Sequence, residues 1–393
     1  MNKEKIYELA GLIAKREQVE QEMKELIGVR NCLEYDLTKI FNSKTYKKWR
    51  MFNTKKEHFI KLYLRPYKKR IKMVLKPLNK LRKKLLTWRI ERQCLKNFKK
   101  VALITLYDNR KESVLRQSPS IVSMPRVSIM IPTFGNTANL DRLLKSIIKH
   151  LPKTSFEILI ANDDPRKLEN IKTWIVDKKD LLQNLPIYIH SNSLNLGFVM
   201  TMNYLKQQAK GQYLYFLNDD TEMIKNGWLD QLHCVVEKDK KIAIVGSLLL
   251  FPNGLVQHAG MYPYRRFDDR KIYNLHYFKF FNPDFSPVKI SRQVPMITGA
   301  SMLISKKVFE EVGGIDYHYL GAGGFDDSDL CNKVVKAGYK IYYAPLSSLI
   351  HHEGLTNANL TDLQRKQLIF NHNHNYYMKK WATFLARKYP EYV

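Results

Sequence analysis

The chain has 393 residues, 45% hydrophobic and 12% aromatic, with 66 Lys+Arg against 37 Asp+Glu and a formal net charge of +29. That apolar content supplies a packed core and excludes a disordered chain, while the length calls for two or three structural units. The positive excess asks for an acidic partner, and nucleic acid, anionic lipid and phosphorylated substrates are the usual three.

Residues 1–43 come first. Leu12, Val19, Leu26, Leu33 and Ile40 recur every seven residues, with Leu9, Met23 and Leu37 in a second row that Arg16 and Arg30 interrupt. The pattern fits either a coiled coil, hence a homodimer, or one amphipathic helix packed on its own domain; Gly28 weakens the helix in both cases. No apolar signal-peptide core precedes it. Residues 44–125 form a basic helical region and linker. Between Lys44 and Lys100 stand 22 Lys+Arg and only two acids, Glu57 and Glu91, interleaved with apolar and aromatic residues such as Trp49, Phe59, Leu75 and Trp88. Basic residues alternating with apolar ones at helical spacing describe a helix lying in lipid headgroups, broken here by Pro66 and Pro77. A solvated basic surface and a nucleic-acid arm are the competing readings.

From Arg126 the chain alternates buried strands (Val127–Ile131, Phe156–Ala161, Ile187–His190, Tyr213–Leu217, Ile242–Leu250) with helical faces carried by Leu140, Leu143, Leu144, Ile147 and by Trp228, Leu229, Leu232, Val235. Such alternation predicts an α/β fold with a mostly parallel sheet and helices on both faces, binding ligands at the carboxyl ends of the strands. The polar residues stand at those ends: Pro132-Thr133, Asn162-Asp163-Asp164, Asn195-Leu196-Gly197 and Asn218-Asp219-Asp220. Paired aspartates offer hard oxygen ligands to Mg²⁺ or Mn²⁺ and acceptors for a ribose or base, although Asn and Asp also dominate ordinary turns. The longest apolar run, Ile242 to Phe251, is half of the ~20 residues a membrane span needs. Cys32, Cys94, Cys234 and Cys331 form no CxxC pair, which suits a reducing cytoplasm better than a disulfide or zinc scaffold.

Eight segments in one order, VSIMIPTFGN, FEILIANDDP, NLGFVMTMN, GQYLYFLNDDTEM, NGLVQHAG, ITGASMLISKKVFEEVGGID, FDDSDLC and HHEG, resemble the family 2 glycosyltransferases with the GT-A fold. The nearest branch is the bacterial rhamnosyl- and galactofuranosyltransferase-like one. The resemblance covers 126–356 and implies a Rossmann-like GT-A domain there, preceded by an all-α extension and followed by a C-terminal helical segment, 357–393. It implies an inverting transfer from a UDP- or dTDP-sugar to a glycan or lipid-linked acceptor in cell-surface polysaccharide synthesis. The enzyme would be peripheral on the cytoplasmic face of the membrane, with no nucleic-acid partner.

Residue by residue, Asp163 matches the acid on the uracil or thymine ring, with Pro132, Thr133 and Asn195 beside it in the nucleotide pocket. Asn218-Asp219-Asp220 stands where the family has DxD, making Asp220 a metal ligand and Asp219 a ribose or diphosphate contact. Asn218 departs from strict DxD and is not counted a ligand. Asp326-Asp327 replaces a Glu-Asp pair whose second member is the general base; by itself Asp327 is also an ordinary first-turn helix acid. His351 matches the histidine that reaches the metal or diphosphate. Gly299 and Asp326 fall on the acceptor side, as do Gly313-Gly314, while His258 is structural or near the acceptor. Lys379-Lys380-Trp381 resembles the closing helix and either covers the site or adds to a basic face. An inactive GT-A binding module and a nucleic-acid-binding protein are the alternatives in other classes. A sugar nucleotidyltransferase would need a Gly-rich loop that Pro132–Asn136 does not provide.

Overall fold

The three-dimensional structure is a computed structural model that describes residues 114–117, 124–193, 195–266, 271–321, 324–352 and 360–393. The helical extension, heptad rows and basic segment read from residues 1–113 lie outside the described residues. The chain divides into two units at Lys100, and everything below concerns the second.

Thirteen strands and eight helices follow Val114 among the described residues. In chain order they are β1 (Val114–Gln117), β2 (Val127–Thr133), α1 (Thr137–Lys149), β3 (Phe156–Asn162), α2 (Leu168–Asp177), α3 (Lys179–Gln183), β4 (Ile187–Ser191), α4 (Phe198–Gln208), β5 (Tyr213–Leu217), β6 (Thr221–Met223), α5 (Trp228–Glu237), β7 (Ile242–Leu250), β8 (Val256–His258), β9 (Met261–Arg265), β10 (Ile272–His276), β11 (Arg292–Gln293), β12 (Ser301–Ser305), α6 (Lys306–Glu311), α7 (Asp326–Lys336), β13 (Lys340–His351) and α8 (Leu360–Lys388). The main sheet runs β1-β4-β3-β2-β5-β12-β7-β13-β11, with β6 added to β13 and β8 to β7.

The expected mostly parallel α/β sheet is present. Its centre, β4, β3, β2 and β5, is parallel, as is the β7–β13 pair, and only β12 runs against its neighbours between them. β1 adds to the outer edge antiparallel to β4 and covers the backbone donors and acceptors of that strand.

Helices cover both faces because the strands are apolar on both. Along β2, Val127, Ile129 and Ile131 enter one core with α1, α2 and α5, while Met130 enters the other with α4, α6, α7 and α8. On α1, Leu140, Leu143, Leu144 and Ile147 are all fully buried, the i, i+3, i+4, i+7 stripe of a core-facing helix. Asn136 caps that helix, its side chain accepting from the Asn139 N–H at 3.2 Å. No described helix is long and apolar enough to cross a membrane.

Candidate active site

Parallel strands deliver their final residues to one rim, and the polar residues meet there. Thr133, ending β2, donates through Oγ1 to Asp219 Oδ2 at 2.5 Å, and its carbonyl accepts from the Asp163 N–H at 2.8 Å. One threonine therefore ties the acid after β3 to the acids after β5. Pro132 lies in register with Ala161 on β3, one position back.

The Asn218–Asp220 turn folds into β6, which pairs antiparallel with the end of β13 so that His351 stands opposite Thr221. His351 Nε2 lies 3.1 Å from Asp220 Oδ1 and 3.3 Å from Asn218 Nδ2. Its other ring nitrogen, Nδ1, is 2.7 Å from Gln257 Oε1 on β8, and Gln257 Nε2 donates to the His351 carbonyl at 3.3 Å. An amide oxygen only accepts, so Nδ1 carries a proton, and Nε2 faces Asp220 as a second donor in the imidazolium or as a lone pair in the neutral ring. The contact is satisfied either by a proton on Nε2, which makes it an ion pair, or by a cation shared between the neutral ring and the carboxylate, and Asp220 Oδ1 is buried without an aligned hydrogen bond. The pair thus fits a divalent ion, with Gln257 orienting the histidine from behind. Among the described residues no group of three or more His, Cys, Asp or Glu converges there. Such a cation would complete its shell from ligand oxygens and water, as hard ions held by one or two protein groups commonly do.

The environment separates the two aspartates. Burial, reinforced by the Asp220 charge and opposed by the Thr133 and Asn139 hydrogen bonds, pushes Asp219 up to about 6. Burial pushes Asp220 up as well, but the hydrogen bond and charge of His351 outweigh it and leave Asp220 below the ordinary carboxylate range.

Asp163 is 7% exposed and accepts from the Leu196 N–H at 2.7 Å, the Gly197 N–H at 2.8 Å and Asn192 Nδ2 at 3.0 Å. It fastens the 195–197 loop to the end of β3, and burial raises its pKa against those bonds. Asn195 is exposed in that loop, its Oδ1 accepting from the Gly197 N–H at 3.2 Å. Gly197 is needed there: its φ is 78°, and a Cβ would come within 3.0 Å of the Gly321 carbonyl oxygen.

The second acidic centre opens α7. Asp327 Oδ2 accepts from the Gly299 N–H at 3.1 Å and Oδ1 from the Ser328 N–H at 2.6 Å, while Asp326 Oδ1 accepts from the Gly324 N–H at 2.6 Å. Burial raises both, and the Asp327 charge adds to it at Asp326, which reaches about 7. Gly299 holds Asp327, and its neighbour Ala300 accepts from the Asn218 N–H at 3.2 Å. Two successive residues ahead of β12 therefore join the two acidic centres.

Helix α8 secures α7. Asp329, fully buried, receives Trp381 Nε1 at 2.6 Å and Lys380 Nζ at 2.6 Å, and Lys380 also reaches Asp316 at 2.7 Å. Within the Lys379–Trp381 segment, then, Trp381 is buried against Asp329, Lys380 pairs with acids from an exposed position, and Lys379 is exposed. Gly313 and Gly314 terminate α6, with φ of 79° and 61°. His258 is wholly buried, its Nδ1 3.1 Å from His276 Nδ1, and burial drives its pKa well below the usual value. Sequence reasoning missed Asn192 and Gln257, because an amide carries no mechanism until its partner is known.

Comparisons with known proteins agree with the motif order. The glycosyl transferase family 2 model matches residues 128–313, and a model described as the N-terminal domain of galactosyltransferase matches 281–353. The chain is 27% identical over 241 residues to the O-antigen biosynthesis protein RfbC of Myxococcus xanthus, covering 58% of this chain and 17% of that one. It is 24% identical over 147 residues to the GalNAc(5)-diNAcBac-PP-undecaprenol beta-1,3-glucosyltransferase of Campylobacter jejuni, covering 35% and 40%. The chain spans less than half the length of the curated relatives it matches. Among solved structures, GalNAc-T7 with UDP, GalNAc and Mn²⁺ aligns with a TM-score of 0.48 at 18% identity, over 68% of this chain and 58% of that one.

Proposed function

We propose, from the match of residues 128–313 to the glycosyl transferase family 2 model, an inverting transfer from a UDP- or dTDP-sugar to a glycan or lipid-linked acceptor. The observation that carries the reading is the Gly299–Ala300 link, which sets an acid able to take a proton beside a pair able to hold a cation. Asp220 and His351 would hold Mg²⁺ or Mn²⁺, and that ion would supply positive charge to offset the nucleoside diphosphate. Asp327 takes the acceptor hydroxyl proton while that oxygen bonds to the anomeric carbon. The bond from this carbon to the diphosphate breaks on the opposite face, so a single displacement inverts the centre. Asp163, Pro132, Thr133 and Asn195 serve the nucleotide, Asp219 the ribose or diphosphate, and Asp326 the acceptor side.

The reaction belongs to cell-surface polysaccharide synthesis at the cytoplasmic face of the membrane. The 22 basic residues between Lys44 and Lys100 support this, since each adds about 1 kcal/mol near an anionic leaflet before screening. Self-association through residues 1–43 goes with the heptad rows.

A panel of nucleotide sugars, screened for donor-dependent thermal stabilisation and then for transfer, tests the reading. EDTA is expected to stop transfer and Mn²⁺ or Mg²⁺ to restore it, with product NMR showing an inverted anomeric centre. Full activity in metal-free buffer removes the cation from the proposal; a retained configuration removes the single displacement.

A further inference from the structure

The turn after β10 is built unusually. Phe278 and Phe280 adopt left-handed backbone, with φ of 55° and 71°, which bulky L residues rarely do. The conformation is imposed by hydrogen bonds to β8: the Phe280 N–H reaches the Val256 carbonyl at 2.7 Å, and the Val256 N–H reaches the Phe281 carbonyl at 2.9 Å. Backbone strain of this kind persists where the surroundings over-determine it, often for a functional end.

Here the outcome is an aromatic tip. Phe278 turns inward to the core, its ring 5.9 Å from Phe281 and 5.7 Å from Phe285. Around it Phe280 is 64% exposed, Phe281 48%, Phe285 42% and Ile290 57%. Four large apolar side chains exposed within eleven residues form a patch, and such patches mark contact surfaces. The Lys279 ammonium sits 5.5 Å from the Phe280 ring centre and 5.6 Å from that of Phe251, a cation held over the aromatic surface.

We propose that this tip, residues 278–290, is a membrane-docking wedge that enters the headgroup region of an anionic bilayer. Protein–protein interface cores are depleted of lysine, whereas a basic residue set among exposed aromatic ones is the composition found at lipid surfaces. Charge points the same way. Lys279 adds a cation at the tip itself, Lys289 is offset by Asp284 at 2.7 Å, and the chain carries +29 overall. The wedge is distinct from the basic segment 44–100, and it lies in the folded domain. It is bonded to β8, whose next residue, Gln257, orients His351. This goes beyond the transfer reaction, and donor chemistry is left untouched if it fails.

The test uses the full chain and vesicles of phosphatidylglycerol and phosphatidylcholine in equal parts. At about 1 M salt the Debye length falls to about 3 Å, which removes most of what exposed basic residues contribute. Under those conditions the wild-type chain is expected to stay partly bound. A Phe280→Ser/Phe281→Ser variant should bind about tenfold more weakly, from the apolar area lost. In low salt, Phe280→Trp should show a blue-shifted emission on vesicle addition and quenching by brominated lipid. Nucleotide-dependent thermal stabilisation, unchanged in the variants, verifies their fold. Equal vesicle binding by the double variant overturns the proposal, as does an indole emission in the Phe280→Trp variant that brominated lipid leaves unquenched. A fall from dimer to monomer in light scattering, with vesicle binding intact, overturns it in favour of contact between copies.

Discussion

Asp219-Asp220 and Asp326-Asp327 are adjacent aspartates in two different settings, and the contrast between them shows how one rim serves two chemistries. Asp219-Asp220 sits in a turn after a parallel strand, where a histidine from β13 compensates one member. Burial drives its partner up to about 6. Asp326-Asp327 opens a helix, and its carboxylates accept from backbone N–H groups and Ser328 Oγ. Both of its members are therefore raised. The first pair is arranged to keep one full negative charge for a cation. The second keeps a carboxylate of raised basicity, which suits proton removal near neutral pH.

The largest effect expected from this contrast is on transfer itself. Asp220→Ala and Asp327→Asn should each lower the rate by about 10³-fold or more, since general bases alone supply 10²–10⁴. They should differ in binding: Asp220→Ala loses stabilisation by Mn²⁺ with nucleotide, whereas Asp327→Asn keeps it. Identical binding losses in a thermal-shift titration would erase the division of labour between the pairs.

A smaller effect belongs to the residue behind His351. Gln257→Leu removes the acceptor for Nδ1–H and should weaken Mn²⁺ affinity about 10–100-fold, the usual consequence of losing such a partner. Electron paramagnetic resonance of free Mn²⁺ measures this without turnover. Unchanged affinity would leave the histidine oriented by something else.

The smallest effect is on stability and sharpens the helix-start pair. Asp326 has a folded pKa of about 7, above its ordinary value, so the folded chain binds more protons than the unfolded one in between. Its contribution is then greatest below the unfolded value and declines as pH rises toward about 7. Asp326→Asn mimics the protonated form, and its Tm relative to wild type should climb between about pH 5 and pH 8. A constant difference across that range would show that Asp326 is not raised.

Much of the architecture was legible along the chain. Five apolar runs were read as strands, and all five are strands of the central sheet, because a strand buried on both faces must be apolar throughout. The helical faces of α1 and α5 were equally plain from their spacing. β12 was not, since SMLIS is a short run without a period of its own, and nothing local says that it inserts antiparallel between β5 and β7.

By itself, then, the sequence determined that this is an α/β chain with acids at the ends of its strands, because periodicity and strand-end polarity are local properties. The order of eight motifs added the family resemblance. Only the tertiary structure decided which acid meets which partner. Asn218 lies beside a histidine 133 positions away, that histidine's tautomer is set by an amide 94 positions from it, and Gly299 joins a strand-end loop to a helix start. Those pairings depend on strand order and register, which a one-dimensional pattern of burial does not encode.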